Sequence, residues 1–221
     1  MSNFLIIGMA AGLLAGLLYC EKNELQAAKL SVKTILSCLF ILTVVIQSRP
    51  VPTYFLLLLI GMLFCLGGDV FLALPHPRMF LWGLVSFLVG HLLYVTAFGR
   101  TAGTNQWTLI GLTISLIASG VVYVWLRPHL GAMKIAVICY MAVISAMAVG
   151  AWSMLGADDL RPIGRMLACA GALSFYISDV FVARQRFVKS AFLNRLIGLP
   201  LYYGGQFMLA FSVGCLSPII G

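Results

Sequence analysis

Charge is what this sequence has least of. Only 9% of its 221 residues are Asp, Glu, Lys or Arg, and just six of those are acidic. A soluble domain carries about a quarter charged residues, so a chain this poor in them cannot cover a water-facing surface. Paired cysteine motifs are missing too. Cys20, Cys38, Cys65, Cys139, Cys169 and Cys215 stand singly in or beside apolar runs, with no CxxC and no histidine at ligand spacing. That excludes thiol-redox and zinc-ribbon readings and leaves small buried hydrophobes. No Gly-x-Ser-x-Gly accompanies any serine, which argues against a serine hydrolase. The first residues, Met1-Ser-Asn-Phe-Leu5, lack a basic n-region. In Gly16-Leu-Leu-Tyr-Cys20 the bulky Tyr19 occupies the place where a lipoprotein cleavage site needs a small residue, so the first apolar run is expected to be a retained membrane helix.

Apolar sequence is abundant: 62% of the residues are hydrophobic and the mean hydropathy is +1.06. Repeated apolar runs of about 20 residues between short polar breaks predict an all-α polytopic membrane protein. The pattern fits eight transmembrane helices, over about 3–20, 31–47, 53–73, 79–98, 107–126, 133–154, 163–183 and 195–217. They would form a single integral membrane domain across residues 1–221. The formal charge of +8 comes from basic residues scattered over loop ends rather than clustered, which argues against a nucleic-acid partner. It fits the positive-inside bias of membrane loops. With both termini outside, ten of the fourteen Lys and Arg face the cytoplasm, including Arg184, Arg186, Lys189 and Arg195 after helix seven. This orientation is the expectation, in a bacterial inner membrane.

Two acidic residues fall inside apolar runs, and their surroundings match. Gly61-Met-Leu-Phe-Cys-Leu-Gly-Gly-Asp69-Val-Phe-Leu-Ala73 echoes Gly171-Ala-Leu-Ser-Phe-Tyr-Ile-Ser-Asp179-Val-Phe-Val-Ala183. Lys33 and Cys38 on helix two are spaced like Lys134 and Cys139 on helix six. These echoes suggest a 4+4 parallel internal repeat, residues 1–104 and 105–221. A pseudo-twofold along the membrane normal would then bring Asp69 and Asp179 face to face at one depth, in the cytoplasmic half.

A charged group within a span costs several kcal/mol, so both aspartates should face the bundle interior or a wet cavity. One reading makes them packing carboxylates paired with Lys33, Lys134 or an arginine. The other makes them catalytic: two carboxylates in a poorly solvated site do not both ionise, which leaves an acid beside a base. Acid-assisted hydrolysis needs that arrangement. His91, near mid-membrane, is expected to hydrogen-bond in the cavity, with packing or metal ligation as alternatives. A lone histidine with two aspartates falls short of the usual three protein ligands. Ser178 adjoins Asp179. Tyr202, Tyr203 and Gln206 on helix eight are expected level with the aspartates, past Pro200, which would open backbone carbonyls there by kinking the helix. Lys33 either snorkels to the interface or holds a phosphate head group.

Lys33, Gly68-Asp69, Gly90-His91 with Tyr94, Gly171 through Ser178-Asp179, Arg186-Phe187, and Leu199-Pro-Leu-Tyr-Tyr203 with Gln206 together resemble the YhhN-type membrane family. Its animal members are lysoplasmalogenases. The resemblance spans roughly residues 5 to 215; Thr34 stands where the family pattern has proline after the helix-two lysine. It implies an ether hydrolase of lipid metabolism that cleaves the vinyl ether of an alkenyl lysophospholipid. The products would be a fatty aldehyde and a glycerophospho-alcohol. Asp69 and Asp179 would be catalytic, and Lys33, His91, Ser178, Tyr202, Tyr203 and Gln206 would contact substrate. Water would be the co-substrate and no metal or other cofactor would be needed. The competing function is a small proton-coupled transporter or lipid carrier, since membrane carboxylates and internal repeats serve transport as well. A structural subunit is the blandest alternative, with salt-bridged aspartates and no cavity.

Overall fold

The computed structural model describes residues 3–219. Eight helices are long and apolar enough to cross a membrane: α1 (Asn3–Lys22), α2 (Gln26–Ile46), α3 (Pro52–Ala73), α4 (Pro77–Ala102), α5 (Gln106–Leu126), α6 (Lys134–Met154), α7 (Pro162–Ala183) and α8 (Phe192–Cys215). The protein is all-helical and the helix count is as expected. The largest boundary difference is in α2, which starts five residues before the expected position, so Lys33 lies two turns inside it and not in its first turn. The polar segment Gln26-Ala-Ala-Lys29 extends the helix because its side chains have tertiary uses. Gln26 Nε2 donates to the Ala73 carbonyl (2.7 Å), which ties α2 to the end of α3.

Local sequence explains the starts and stops. Pro52 and Pro162 open α3 and α7, where their missing N–H costs no helix bond. Asn105 caps α5: its Oδ1 accepts from the Trp107 amide (3.0 Å), while Thr108 Oγ1 accepts from the Asn105 amide (2.9 Å). Past Ala183, α7 widens into a π turn over Arg184–Val188, a distortion that often accompanies functional sites. Pro200 sits inside α8 without ending it.

Burial separates a central helix from a peripheral one. Twelve residues of α8 are buried against three of α5, so α8 is surrounded by protein and α5 faces the surroundings. Two helix pairs come close enough to exclude side chains. A Cβ on Gly61 would lie 3.2 Å from the Gly90 oxygen, and one on Gly90 would lie 3.0 Å from the Gly61 oxygen. Gly171 and Gly205 repeat this between α7 and α8, at 2.8 and 2.7 Å. Small residues at such crossings are what membrane helices use in place of a hydrophobic driving force. The glycine that opens each aspartate segment thus fixes its helix against the next one. Asp69 and Asp179 each lie four residues before the end of their α-helix, or about 6 Å at 1.5 Å per residue.

Candidate active site

The two aspartates line one cleft at the end of the bundle where α3 and α7 stop and α8 begins. Its cavity volume is about 100 Å³, and it opens to the surroundings. Lys33, Gln185, Asn194 and Arg195 make one part of the wall polar. Val122 and Leu126 of α5, with Val137, Met141 and Ile144 of α6, add apolar lining. The cleft is therefore amphiphilic, with the carboxylates among its lining groups.

Asp69 is 2% exposed and has three partners. Ser37 of α2 and Tyr202 of α8 both donate to Oδ2 at 2.7 Å, and Lys33 Nζ lies 3.9 Å from Oδ1. Attraction between unit charges at that separation is about 4 kcal/mol at an effective dielectric of 20. Desolvation of both groups roughly offsets it, so a buried pair of this kind adds little net stability. What the pair does supply is a fixed anion with a compensating cation. Asp179 is less buried and has one side-chain partner, the Tyr140 hydroxyl of α6, which donates to Oδ2 at a short contact. Among the described residues no cation lies within salt-bridge distance of Asp179 and no hydrogen bond joins the two aspartates.

The rim is built by the π turn and the start of α8. Arg184 donates to Asn194 Oδ1 (2.5 Å), and Asn194 Nδ2 donates to Gln185 Oε1 (2.7 Å) and the Lys189 carbonyl (2.8 Å). Glu21 of α1 lies between Lys29 (3.7 Å) and Arg195 (3.8 Å). Arg186 lies over the Phe80 ring at 4.5 Å, a cation–π contact that anchors the turn to α4.

Of the expected site residues, Asp69, Asp179, Lys33, Ser178 and Tyr202 line the cleft. Ser178 spends its proton on the Phe175 carbonyl (2.7 Å). His91, Tyr203 and Gln206 do not line it. His91 is fully buried among the rings of Phe175 (4.5 Å between centroids), Tyr140 (5.5 Å) and Tyr94 (6.5 Å), and neither ring nitrogen has a hydrogen-bond partner among the described residues. The structure thus packs the His91 ring among aromatic side chains, one of which, Tyr140, also lines the cleft. Gln206 Oε1 accepts from Tyr94 (3.0 Å), while its Nε2 and the Tyr203 hydroxyl are unpartnered. Among the described residues, no three of His, Cys, Asp and Glu converge as metal ligands would.

Sequence reasoning passed over Ser37, Tyr140, Asn194 and Arg195. A signal existed for the first: Ser37 follows Lys33 by four residues and therefore shares its helix face. Tyr140 had none, since a single tyrosine in an apolar helix reads as an ordinary packing residue.

A model of the YhhN family matches residues 28–213. The lysoplasmalogenase TMEM86A of Bos taurus is 33% identical over 158 residues, which is 69% of this chain and 63% of that protein. The lysoplasmalogenase TMEM86B of Sus scrofa is 30% identical over 185 residues, 82% of this chain and 75% of that protein. A lysoplasmalogenase of Mycobacterium tuberculosis is 28% identical over 142 residues, 62% of this chain and 51% of that protein. The match to the cattle protein thus leaves more than a third of that relative uncovered. No solved structure matches the chain. Both aspartates, the lysine and the helix-eight tyrosine lie inside the matched region, and on that span the chain belongs to the YhhN family.

Proposed function

We propose that this protein is a lysoplasmalogenase-like intramembrane hydrolase that cleaves the vinyl ether bond of alkenyl lysophospholipids. The observation that carries the reading is the placement of Asp69 and Asp179 in one amphiphilic cleft. Two carboxylates inside a membrane bundle need a purpose that justifies their desolvation, and an enol ether requires an acid and an anion. The acid protonates the carbon β to the ether oxygen. The resulting oxocarbenium ion is stabilised by a nearby carboxylate and captured by water, and the hemiacetal collapses to a fatty aldehyde and the glycerophospho-alcohol. The polar wall near Lys33, Asn194 and Arg195 suits the phosphate head group, and the apolar wall from α5 and α6 suits the alkenyl chain. Tyr202 orients Asp69 from the cleft wall, whereas His91, Tyr203 and Gln206 support it from behind. The names of the relatives point to the same substrate class.

The distribution of loop charges supports an orientation with both termini outside and the cleft toward the cytoplasmic half, in a bacterial inner membrane. The 4+4 repeat is supported by three glycine contacts that recur in register. Gly61 with Gly90 corresponds to Gly171 with Gly205; a Cβ on Gly83 would lie 3.4 Å from the Gly68 oxygen, and one on Gly198 would lie 3.8 Å from the Ser178 oxygen.

The test is aldehyde release from a defined alkenyl lysophospholipid by protein purified in detergent. Asp69→Asn and Asp179→Asn should each reduce turnover by about 10²–10⁴-fold, the usual contribution of a proton-transferring group or of a preorganised charge facing a developing ion. Full turnover in both variants would refute the two-carboxylate mechanism, and no turnover by the native protein would refute the substrate class.

A further inference from the structure

The two aspartates occupy corresponding positions, but their surroundings differ in a way that separates their roles. The glycine contacts align α4 with α8 so that Gly90 answers to Gly205 and Gly83 to Gly198. The same alignment sets Phe87 opposite Tyr202. Tyr202 crosses from the second half of the chain and donates its hydroxyl to Asp69. Phe87 lines the cleft at the equivalent place but has no hydroxyl to give Asp179. Its ring packs edge-on against Phe175 (5.9 Å) and Tyr202 (5.8 Å). A second asymmetry lies on the preceding helices: Lys33 of α2 faces Asp69 at 3.9 Å, and α6 offers Asp179 a tyrosine and no cation among the described residues.

From these differences we infer that Asp179 is the proton donor of the reaction and Asp69 the carboxylate that stays ionised throughout it. The assignment rests on the hydrolase reading above. A carboxylate withdrawn from water persists as an anion only with a counter-charge or several donors. Asp69 has both, and two of its contacts converge on Oδ2. Asp179 lines the cleft with one hydroxyl donor, on Oδ2, and no hydrogen bond to Oδ1 among the described residues. The other charged or titratable groups on the cleft wall are Lys33, Asp69 and Arg195 with Tyr140, Tyr176 and Tyr202. Neither cation is within salt-bridge distance of Asp179.

The chemistry closes with one proton cycled through Asp179. Its O–H proton goes to the β carbon of the enol ether, whose π electrons form the new C–H bond while an oxygen lone pair makes the oxocarbenium ion. Water adds to the electron-poor carbon and returns a proton to the Asp179 carboxylate. The hemiacetal O–H proton then passes to the glycerol oxygen as the C–O bond breaks, which gives aldehyde and alcohol. Asp69, held by Lys33, Ser37 and Tyr202, stabilises the cation by charge and exchanges no proton.

Infrared spectroscopy of the purified protein without substrate tests the assignment separately from turnover. At neutral pH the native protein should show the carbonyl stretch of one protonated carboxyl group. Asp69→Asn should keep the band and Asp179→Asn should lose it. Should Asp179→Asn not fold, Tyr140→Phe and Lys33→Met serve. Removing the Tyr140 hydroxyl should shift the band without abolishing it, and removing the lysine should add a second band that disappears in Lys33→Met/Asp69→Asn. A band absent from the native protein, kept in both single Asn variants, lost in both, or lost only in Asp69→Asn overturns the inference. So does a band that ignores Tyr140→Phe together with no second band in Lys33→Met. If the bands behave as expected while no aldehyde is released, the protonation assignment stands and the substrate class fails.

Discussion

Two neighbouring groups of polar side chains, one around the cleft and one beside it, differ in how they are satisfied. Around the cleft, Asp69 has Ser37, Tyr202 and Lys33, Asp179 has Tyr140, and Asn194 has Arg184, Gln185 and Lys189. Beside it lie His91, Gln206 and Tyr203, sealed by Phe175, Tyr140 and Tyr202, with four polar atoms that find no partner among the described residues. The contrast teaches where function is concentrated. Groups held by hydrogen bonds at the cleft are pre-organised toward an open space, as a site that must stabilise developing charge requires. The unsatisfied groups have no open space to address. Each carries a desolvation cost of about 1–3 kcal/mol, which the aromatic packing around it must outweigh.

Lys33→Met should open the widest gap between the two groups. It removes the only cation paired with Asp69 among the described residues and a part of the polar wall suited to phosphate. Truncating one member of a buried pair costs about 2–5 kcal/mol, much of it from the charge left behind. We expect kcat/KM to fall by roughly a hundredfold or more, with KM rising. In the Asp69→Asn background the same change should cost far less, because the two side chains act as a unit. Equal losses in both backgrounds would mean that Lys33 and Asp69 act independently.

How much of this was legible beforehand varied with the kind of interaction. The eight spans follow from hydropathy, and the place of each aspartate near a helix end follows from spacing along the chain, which are properties of single helices. Lys33 and Tyr202 were visible because a charge or a tyrosine pair next to a proline stands out in an apolar run. The partner of each carboxylate was not visible. Ser37 and Tyr140 reach the aspartates only because α2 packs against α3 and α6 against α7, and a hydroxyl in an apolar helix carries no mark of where it points. The rings around His91 were not visible for the related reason that depth in a membrane says nothing about which side chains pack on it. The π turn at Arg184–Val188 also had no sequence warning, since its residues read as an ordinary basic loop end.

Tyr202→Phe tests the cleft group more gently. It removes one of the two hydroxyl donors to Asp69 and keeps the ring that packs on Phe175 (5.0 Å) and Tyr203 (4.8 Å). A hydrogen bond to a charged group contributes about 1.5–3 kcal/mol, so kcat should fall by roughly 10- to 100-fold while the unfolding temperature in detergent changes little. A loss confined to stability would move Tyr202 out of the site and into the packing.

The smallest effect is expected at His91. Phenylalanine there keeps an aromatic ring against Phe175, Tyr140 and Tyr94 and removes two nitrogens that have no hydrogen-bond partner among the described residues. Replacing an unsatisfied buried polar group by an apolar one of similar shape is nearly neutral or stabilising. His91→Phe should therefore leave kcat and KM within about threefold of the native values, the range of a change of roughly 0.5 kcal/mol, and hold or raise the unfolding temperature. His91→Ala should do the opposite to stability, because it opens a cavity beside Phe175 and releases the ring that Tyr140 leans on while donating to Asp179. Measured side by side, the two variants distinguish a histidine that acts through its ring volume from one that acts through its nitrogens. A tenfold or larger loss of kcat in His91→Phe at unchanged stability would place a proton or a water on those nitrogens, and the sealed group would then belong to the chemistry of the cleft.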